Sequence, residues 1–118
     1  MAHCVLLLED EPLILMDMEF AAKDFGYKAL TAATASEALD LITTHAGEMT
    51  VAVLDVSLGE GRTCYSVTQE LDRLGIPFIL HSGDLDRHDE QVRELDAELI
   101  AKPAAADYVI GAAIAYTL

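Results

Sequence analysis

Val51-Ala52-Val53-Leu54-Asp55 decides the fold: an unbroken apolar run that ends on a carboxylate. Such a run, with Val at two of its positions, reads as a strand buried on both faces, the kind found inside a parallel sheet covered by helices. Other stretches have the same shape. Cys4-Val5-Leu6-Leu7-Leu8 runs into Glu9-Asp10-Glu11, Phe78-Ile79-Leu80 into His81-Ser82-Gly83, and Leu99-Ile100-Ala101 into Lys102-Pro103. Each ends on polar, chemically useful residues. In open α/β sheets, chemistry gathers in the crevice at the carboxyl ends of the strands.

The segments between these runs have helical spacing. Pro12 suits the first turn of a helix that reaches about Phe25 and stops at Gly26. Its core face is Ile14, Met18, Ala21, Ala22 and Phe25, and Glu19 and Lys23 pair on the outside. Leu13, Met16 and Phe20, with Asp17 between them, form a second apolar ridge roughly opposite the core. A monomer gains nothing from that ridge, so it reads as a partner surface, with scattered surface apolarity as the plain alternative. Tyr27 to Ala33 reads as a short strand. Thr34-Ala35-Ser36-Glu37 is a capping box opening a helix that uses Ala38, Leu39 and Ile42 and ends near Ala46-Gly47. After a loop from Val56 to Arg62, a helix over Thr63 to Leu74 turns Val67, Leu71 and Leu74 inward and closes at Gly75; Pro77 to Leu80 is the next strand.

Asp84 to Asp96 is different. Carboxylates dominate it, and its apolar anchors are Leu85, Val92 and Leu95. Burying three such side chains yields roughly 4–9 kcal/mol, while ordering each residue costs ~1–2 kcal/mol. A helix there is thinly supported, and the segment is expected to be the mobile output element. Ala105 to Leu118 reads as a final helix, apolar nearly all round with Asp107 as its one charge. Tyr108, Ile110, Ile114 and Tyr116 cannot all face inward, and a homodimer through this helix is the simplest cover. The order βαβαβαβαβα with right-handed crossovers predicts an α/β, doubly wound, five-stranded parallel sheet in the flavodoxin-like order 2-1-3-4-5.

The 118 residues correspond to one domain, and 53% of them are hydrophobic. No run approaches the ~18–20 apolar residues of a membrane span. There is no basic segment followed by an apolar signal core. Cys4 and Cys64 lack metal-type spacing and read as reduced thiols of a cytoplasmic protein. The net charge of −14, from 21 acidic and 7 basic residues, argues against nucleic acid as a partner.

In the order 2-1-3-4-5 the first and third strands are neighbours at the switch point. Glu9, Asp10 and Asp55 then share a few ångströms. Any one of them could be a solvated strand-end acid. Three together cannot all stay ionised without a compensating cation, and a hard divalent ion, Mg²⁺, resolves the conflict. Lys102 leaves a buried strand directly before Pro103, and a Lys-Pro step can be cis, aiming the side chain back at the site. Ser82 supplies a hydroxyl at the neighbouring strand end. His81 reads as a satisfied strand-end histidine rather than a catalyst. No phosphate-cradling GxxxxGK[ST] is present. A carboxylate nucleophile, a metal held by two other acids, an ammonium and a hydroxyl suit phosphoryl transfer onto Asp55.

With Glu9-Asp10, Leu54-Asp55, Ser82 and Lys102-Pro103 at these places, the whole chain resembles a receiver domain of bacterial two-component response regulators. The resemblance implies that Asp55 accepts a phosphoryl group from a phosphohistidine of a sensor histidine kinase or a histidine phosphotransfer protein. It implies that Glu9, Asp10 and Asp55, with the backbone carbonyl of Ser57, hold Mg²⁺. Ser82 would be the switch hydroxyl, and Lys102 would contact the phosphoryl group. The chain departs from the family pattern at three places: Glu9 replaces the commoner Asp, Gly59 replaces a usual Pro, and Leu99 replaces the aromatic switch residue. Ser82-Gly83 with no aromatic following resembles the single-domain subgroup named for a FATGUY motif.

The expectation is a single receiver domain over residues 1–118 with no effector domain, acting by protein contact or as a phosphate drain. It is not expected to be an enzyme beyond assisting its own phosphorylation and dephosphorylation. A non-phosphorylated pseudo-receiver is the alternative, against which the intact residue set argues. An aspartate-nucleophile hydrolase would want a second acid two residues after Asp55, where Ser57 stands.

Overall fold

The computed structural model describes residues 3–59, 61–83 and 97–117. Strands β1 (Cys4–Leu8), β2 (Lys28–Ala32), β3 (Val51–Asp55), β4 (Phe78–Ser82) and β5 (Leu99–Ala101) form one parallel sheet in the order β2-β1-β3-β4-β5. Helices α1 (Pro12–Asp24), α2 (Ala35–His45), α3 (Tyr65–Leu74) and α4 (Ala106–Ile114) cover its faces, and a 3₁₀ turn (Ala115–Thr117) follows α4. The doubly wound sheet and its strand order are as expected. The sequence reading of 84–96 lies outside the described residues.

Strand alternation divides the interior into two cores. Cys4, Leu6, Leu8, Ala52, Leu54 and Leu80 pack toward Ala38 and Ile42 of α2 and Val67 and Leu71 of α3. Val5, Leu7, Val51, Val53, Ile79 and Ile100 pack toward Met18, Ala21 and Ala22 of α1 and Val109, Ile110 and Ala113 of α4. The central strands carry apolar residues at every position because both faces are covered. Continuing the alternation by one residue puts Glu9, Asp55, His81 and Lys102 on the α1/α4 side of the sheet, all at its carboxyl edge. Ser82 has the opposite parity.

The helix ends follow local chemistry. In α1, Gly26 sits at φ +82, its N–H donates to the Lys23 carbonyl at 2.9 Å, and the Tyr27 N–H donates to the Ala22 carbonyl at 2.9 Å. That pair of bonds is a Schellman closure. The capping box of α2 is present with one change: the Thr34 hydroxyl accepts from the Glu37 N–H at 3.1 Å, while the Glu37 carboxylate accepts from Ala33 rather than from Thr34.

Several boundaries and faces differ from expectation. β4 runs on to Ser82, because His81 and Ser82 pair with Ile100 and Ala101. β2 is shorter than Tyr27 to Ala33. α3 starts at Tyr65, because Thr63 bridges back to Ser57 and the Cys64 N–H donates to the Val56 carbonyl at 3.1 Å. Helical geometry in α4 tightens to 3₁₀ after Ile114. Phe25, assigned to the core face, is 48% exposed. It follows the last helical residue, and its ring lies over α4, where a Cβ on Gly111 would sit 3.7 Å from Phe25 Cζ. Leu74 is likewise at the surface rather than inward. Among the described residues, no helix is long and apolar enough to cross a membrane.

Candidate phosphoryl-acceptor and metal site

Parallel register assembles the site. Leu8 pairs with Leu54, so Glu9 and Asp55 leave the sheet side by side, and Asp55 pairs with His81 on the next strand. Glu9, Asp10 and Asp55 each offer a carboxylate oxygen, all within 4.8 Å of one another. Glu9 is fully buried, Asp55 nearly so, and Asp10 is exposed. The expected acidic trio is therefore brought together.

Lys102 enters from β5. The Lys102-Pro103 peptide is cis. Its Nζ lies 3.0 and 3.1 Å from the two oxygens of Glu9, 3.4 Å from Asp55 Oδ2 and 3.8 Å from Glu11 Oε1. The Glu11 N–H also donates to Glu9 Oε2 at 3.2 Å. Ser82, buried, stands at the end of β4, and its carbonyl accepts from the Lys102 N–H at 2.9 Å. Ser57 lies two residues beyond Asp55, at the bridge to Thr63 that folds the following loop. In that loop Gly59 takes φ +82, and a Cβ there would sit 3.7 Å from Asp10 Oδ2. The left-handed backbone is the condition that a glycine meets without strain.

The electrostatics show the strain of three acids beside one ammonium. Burial pushes the Asp55 carboxyl up to about 8, with the contact and charge of Glu9 and then Asp10 adding to it and Lys102 opposing. Burial works against the Lys102 ammonium, yet its hydrogen bond to Glu9 and the charges of Asp55, Glu9 and Glu11 hold its pKa above the usual lysine value. Glu9 Oε1 is buried and accepts no hydrogen bond, although Lys102 is near it. A buried oxygen without a hydrogen bond and clustered carboxylates with an unbalanced negative charge are the donor set of a hard divalent cation. The residues present fit Mg²⁺.

His81 departs from its sequence reading. It is buried, and neither ring nitrogen has a hydrogen-bond partner. Burial, and then the Lys102 charge, pushes its pKa down, so the ring is neutral. A cavity of about 430 Å³ lies against this side of the site, bordered by α1 and the chain following β5. Neither the cavity nor the bare imidazole was visible in the sequence, because both depend on strand pairing.

The α1 ridge expected to meet a partner is at the surface, as helical spacing predicts. Leu13, Met16 and Phe20 are 72%, 43% and 56% exposed, and Asp17 is exposed between them. On α4, Ile110 is buried while Tyr108 and Tyr116 are at the surface; the Tyr116 hydroxyl donates to Glu98 Oε1 at 2.9 Å.

No protein-family model matches the chain, and no curated protein matches it by sequence. Solved structures do. SdrG from Sphingomonas melonis Fr1 is 30% identical with a TM-score of 0.76, over 98% of this chain and 96% of that one. A response regulator receiver domain protein from Clostridium thermocellum is 25% identical with a TM-score of 0.74, over 93% and 90%. The chain belongs to the response regulator receiver family. A receiver protein from Sinorhizobium medicae WSM419, 19% identical, shares the fold with a TM-score of 0.83 over 98% of this chain and 94% of that one. For this receiver domain, the relatives support a phosphoacceptor role in two-component signalling.

Proposed function

We propose that this receiver domain takes a phosphoryl group onto Asp55 from a phosphohistidine of a sensor histidine kinase or histidine phosphotransfer protein. The observation that carries this reading is Asp55 itself: a buried strand-end carboxylate with Lys102 Nζ at 3.4 Å and the oxygens of Glu9 and Asp10 within 4.8 Å. A carboxylate oxygen attacks phosphorus in line, the N–P bond breaks, and the electron pair leaves with the imidazole, which takes a proton from solvent. Lys102 neutralises charge on the equatorial oxygens, and the Ser82 hydroxyl donates to one of them. Glu9, Asp10, Asp55 and the Ser57 carbonyl would hold Mg²⁺, which when bound neutralises charge on the transferring group. Asp55 is a stoichiometric acceptor in this reading, so the protein is not an enzyme beyond assisting its own phosphorylation and dephosphorylation. Output is by protein contact or by draining phosphate, in the cytoplasm and without nucleic acid or membrane.

The α1 ridge of Leu13, Met16, Asp17 and Phe20 is the docking surface for the phosphodonor, since α1 begins beside the pocket. The exposed Tyr108 supports a homodimer through α4.

The test is incubation with acetyl phosphate and Mg²⁺ followed by intact mass. One phosphoryl adduct is expected, abolished by EDTA and by Asp55→Asn. An unchanged parent mass would favour a pseudo-receiver, and a persisting adduct in Asp55→Asn would move the acceptor elsewhere.

A further inference from the structure

Beside the phosphoryl site lies a cavity that the transfer chemistry does not use. It is about 430 Å³, within the usual range of about 300–1,000 Å³ for small-molecule sites. Its walls are Ile14 and Met18 from α1 and Pro103, Ala104 and Ala106 from the chain that follows β5. His81 borders its inner end, and the carboxylates of Glu11 and Asp17 stand at its outer edge.

Two features of this cavity call for an occupant. His81 is 2% exposed, and both its nitrogens lack a hydrogen-bond partner. A buried donor or acceptor without a partner is costly, and native structures rarely retain one without a purpose. His81 lines the cavity, where a bound hydroxyl would supply the partner its ring lacks. At the outer edge, among the described residues, Asp17 makes no ion pair and Glu11 reaches only Lys102, at 3.8 Å, while that ammonium is engaged closely by Glu9. The net charge of −14 adds to the attraction for cations there.

We propose that this cavity is a binding site for a small organic cation with an apolar, ring-sized body, its ammonium group at Glu11 and Asp17 and a hydroxyl at its far end on His81. The apolar walls receive the body, and Lys102 contributes its hydrocarbon stem, its charge being turned to Glu9 and Asp55. Because Lys102 and Glu11 border the cavity and also meet at the phosphoryl site, an occupant would be felt at Asp55.

Tyramine is the probe, titrated into the unphosphorylated protein and followed by NMR. Amide shifts are expected at Ile14, Met18 and Ala104, with a shift of the His81 ring nitrogens. Phenethylamine, lacking the hydroxyl, should bind about 2–10-fold more weakly and leave the His81 nitrogens unmoved. Tyrosol, lacking the ammonium, should also bind more weakly and lose the salt dependence. His81→Phe should bring tyramine down to the affinity of phenethylamine. Ala104→Trp, which fills the cavity, should abolish the shifts while still accepting phosphate from acetyl phosphate, showing that the fold is intact. Absence of shifts at the cavity residues, or equal tyramine binding by the parent and Ala104→Trp, would overturn the proposal. Asp55 labelling is measured separately, so failure here leaves the phosphoacceptor reading standing.

Discussion

Lys102 Nζ sits 3.0 Å from Glu9 Oε1, on a glutamate with no exposed surface. The two residues are far apart in sequence and meet because β1 and β5 both deliver their next residue to the same edge of the sheet. Glu9 thereby holds the ammonium over Asp55, at 3.4 Å from Oδ2. A longer side chain at a position where Asp is commoner in receivers suits that task, since its carboxylate spans both the lysine and the acidic trio.

Removing the lysine leaves this buried carboxylate uncompensated. Lys102→Met is expected to destabilise the metal-free protein by about 3 kcal/mol, as breaking one side of a buried ion pair does. Added Mg²⁺ should recover part of the loss by neutralising the same carboxylates. Urea unfolding with and without Mg²⁺ measures both effects, and a loss that Mg²⁺ leaves untouched would separate Glu9 from the cation site.

The raised Asp55 pKa gives stability a pH dependence of unusual sign for a carboxylate. Its folded pKa, about 8, lies above the ordinary value of 3.8. Between those values the folded state binds more protons than the unfolded one, so stability falls as pH rises. The contribution is present in full below about 4 and lost above about 8. Thermal unfolding of the metal-free protein across this window should show the decline, and Asp55→Asn should flatten it. Mg²⁺ should oppose it by favouring the ionised carboxyl.

The exposed α1 ridge predicts a split between two phosphodonors. Phe20→Ser should slow transfer from the cognate kinase or phosphotransfer protein at least severalfold, as loss of an interface aromatic does. Labelling by acetyl phosphate, which needs no docking, should be unchanged. Equal loss in both assays would point to misfolding of the variant, and transfer from the kinase at the parent rate would remove α1 as the docking surface.

Self-association through α4 predicts that sedimentation shifts toward a dimer with rising protein concentration, and that Tyr108→Ser weakens the shift. Tyr116 is the poorer probe, because its hydroxyl is tied to Glu98 within the same chain. A monomer at every concentration, phosphorylated or not, would leave α4 to a different partner.

Gly75→Ala tests the end of α3. Gly75 has φ +72, and a Cβ added there meets nothing within 4 Å. The cost is therefore conformational alone, about 1 kcal/mol, read as a lower urea midpoint with an unchanged slope.

The layered α/β plan, and which polar residues stand at its strand ends, could be read from the sequence alone. Apolar runs ending on Glu9-Asp10, Asp55, Ser82 and Lys102 carry their own message, because a strand buried on both faces must be apolar throughout and can turn polar only where it leaves the sheet. Local signals such as Gly26, Gly75 and the Thr34–Glu37 capping box were legible for the same reason: they involve residues a few positions apart. Tertiary structure alone decided the rest. Phe25 and Leu74 satisfy helical spacing for the core yet lie at helix ends, where the neighbouring layer gives out. β4 gained His81 and Ser82 because β5 offered them backbone partners, which no local pattern in β4 announces. The same pairing buried His81 beside Asp55 and shaped the cavity against α1. Burial and the approach of Glu9 and Asp10 together raised the Asp55 pKa to about 8, a consequence of distances between strands that adjacency in the chain does not encode.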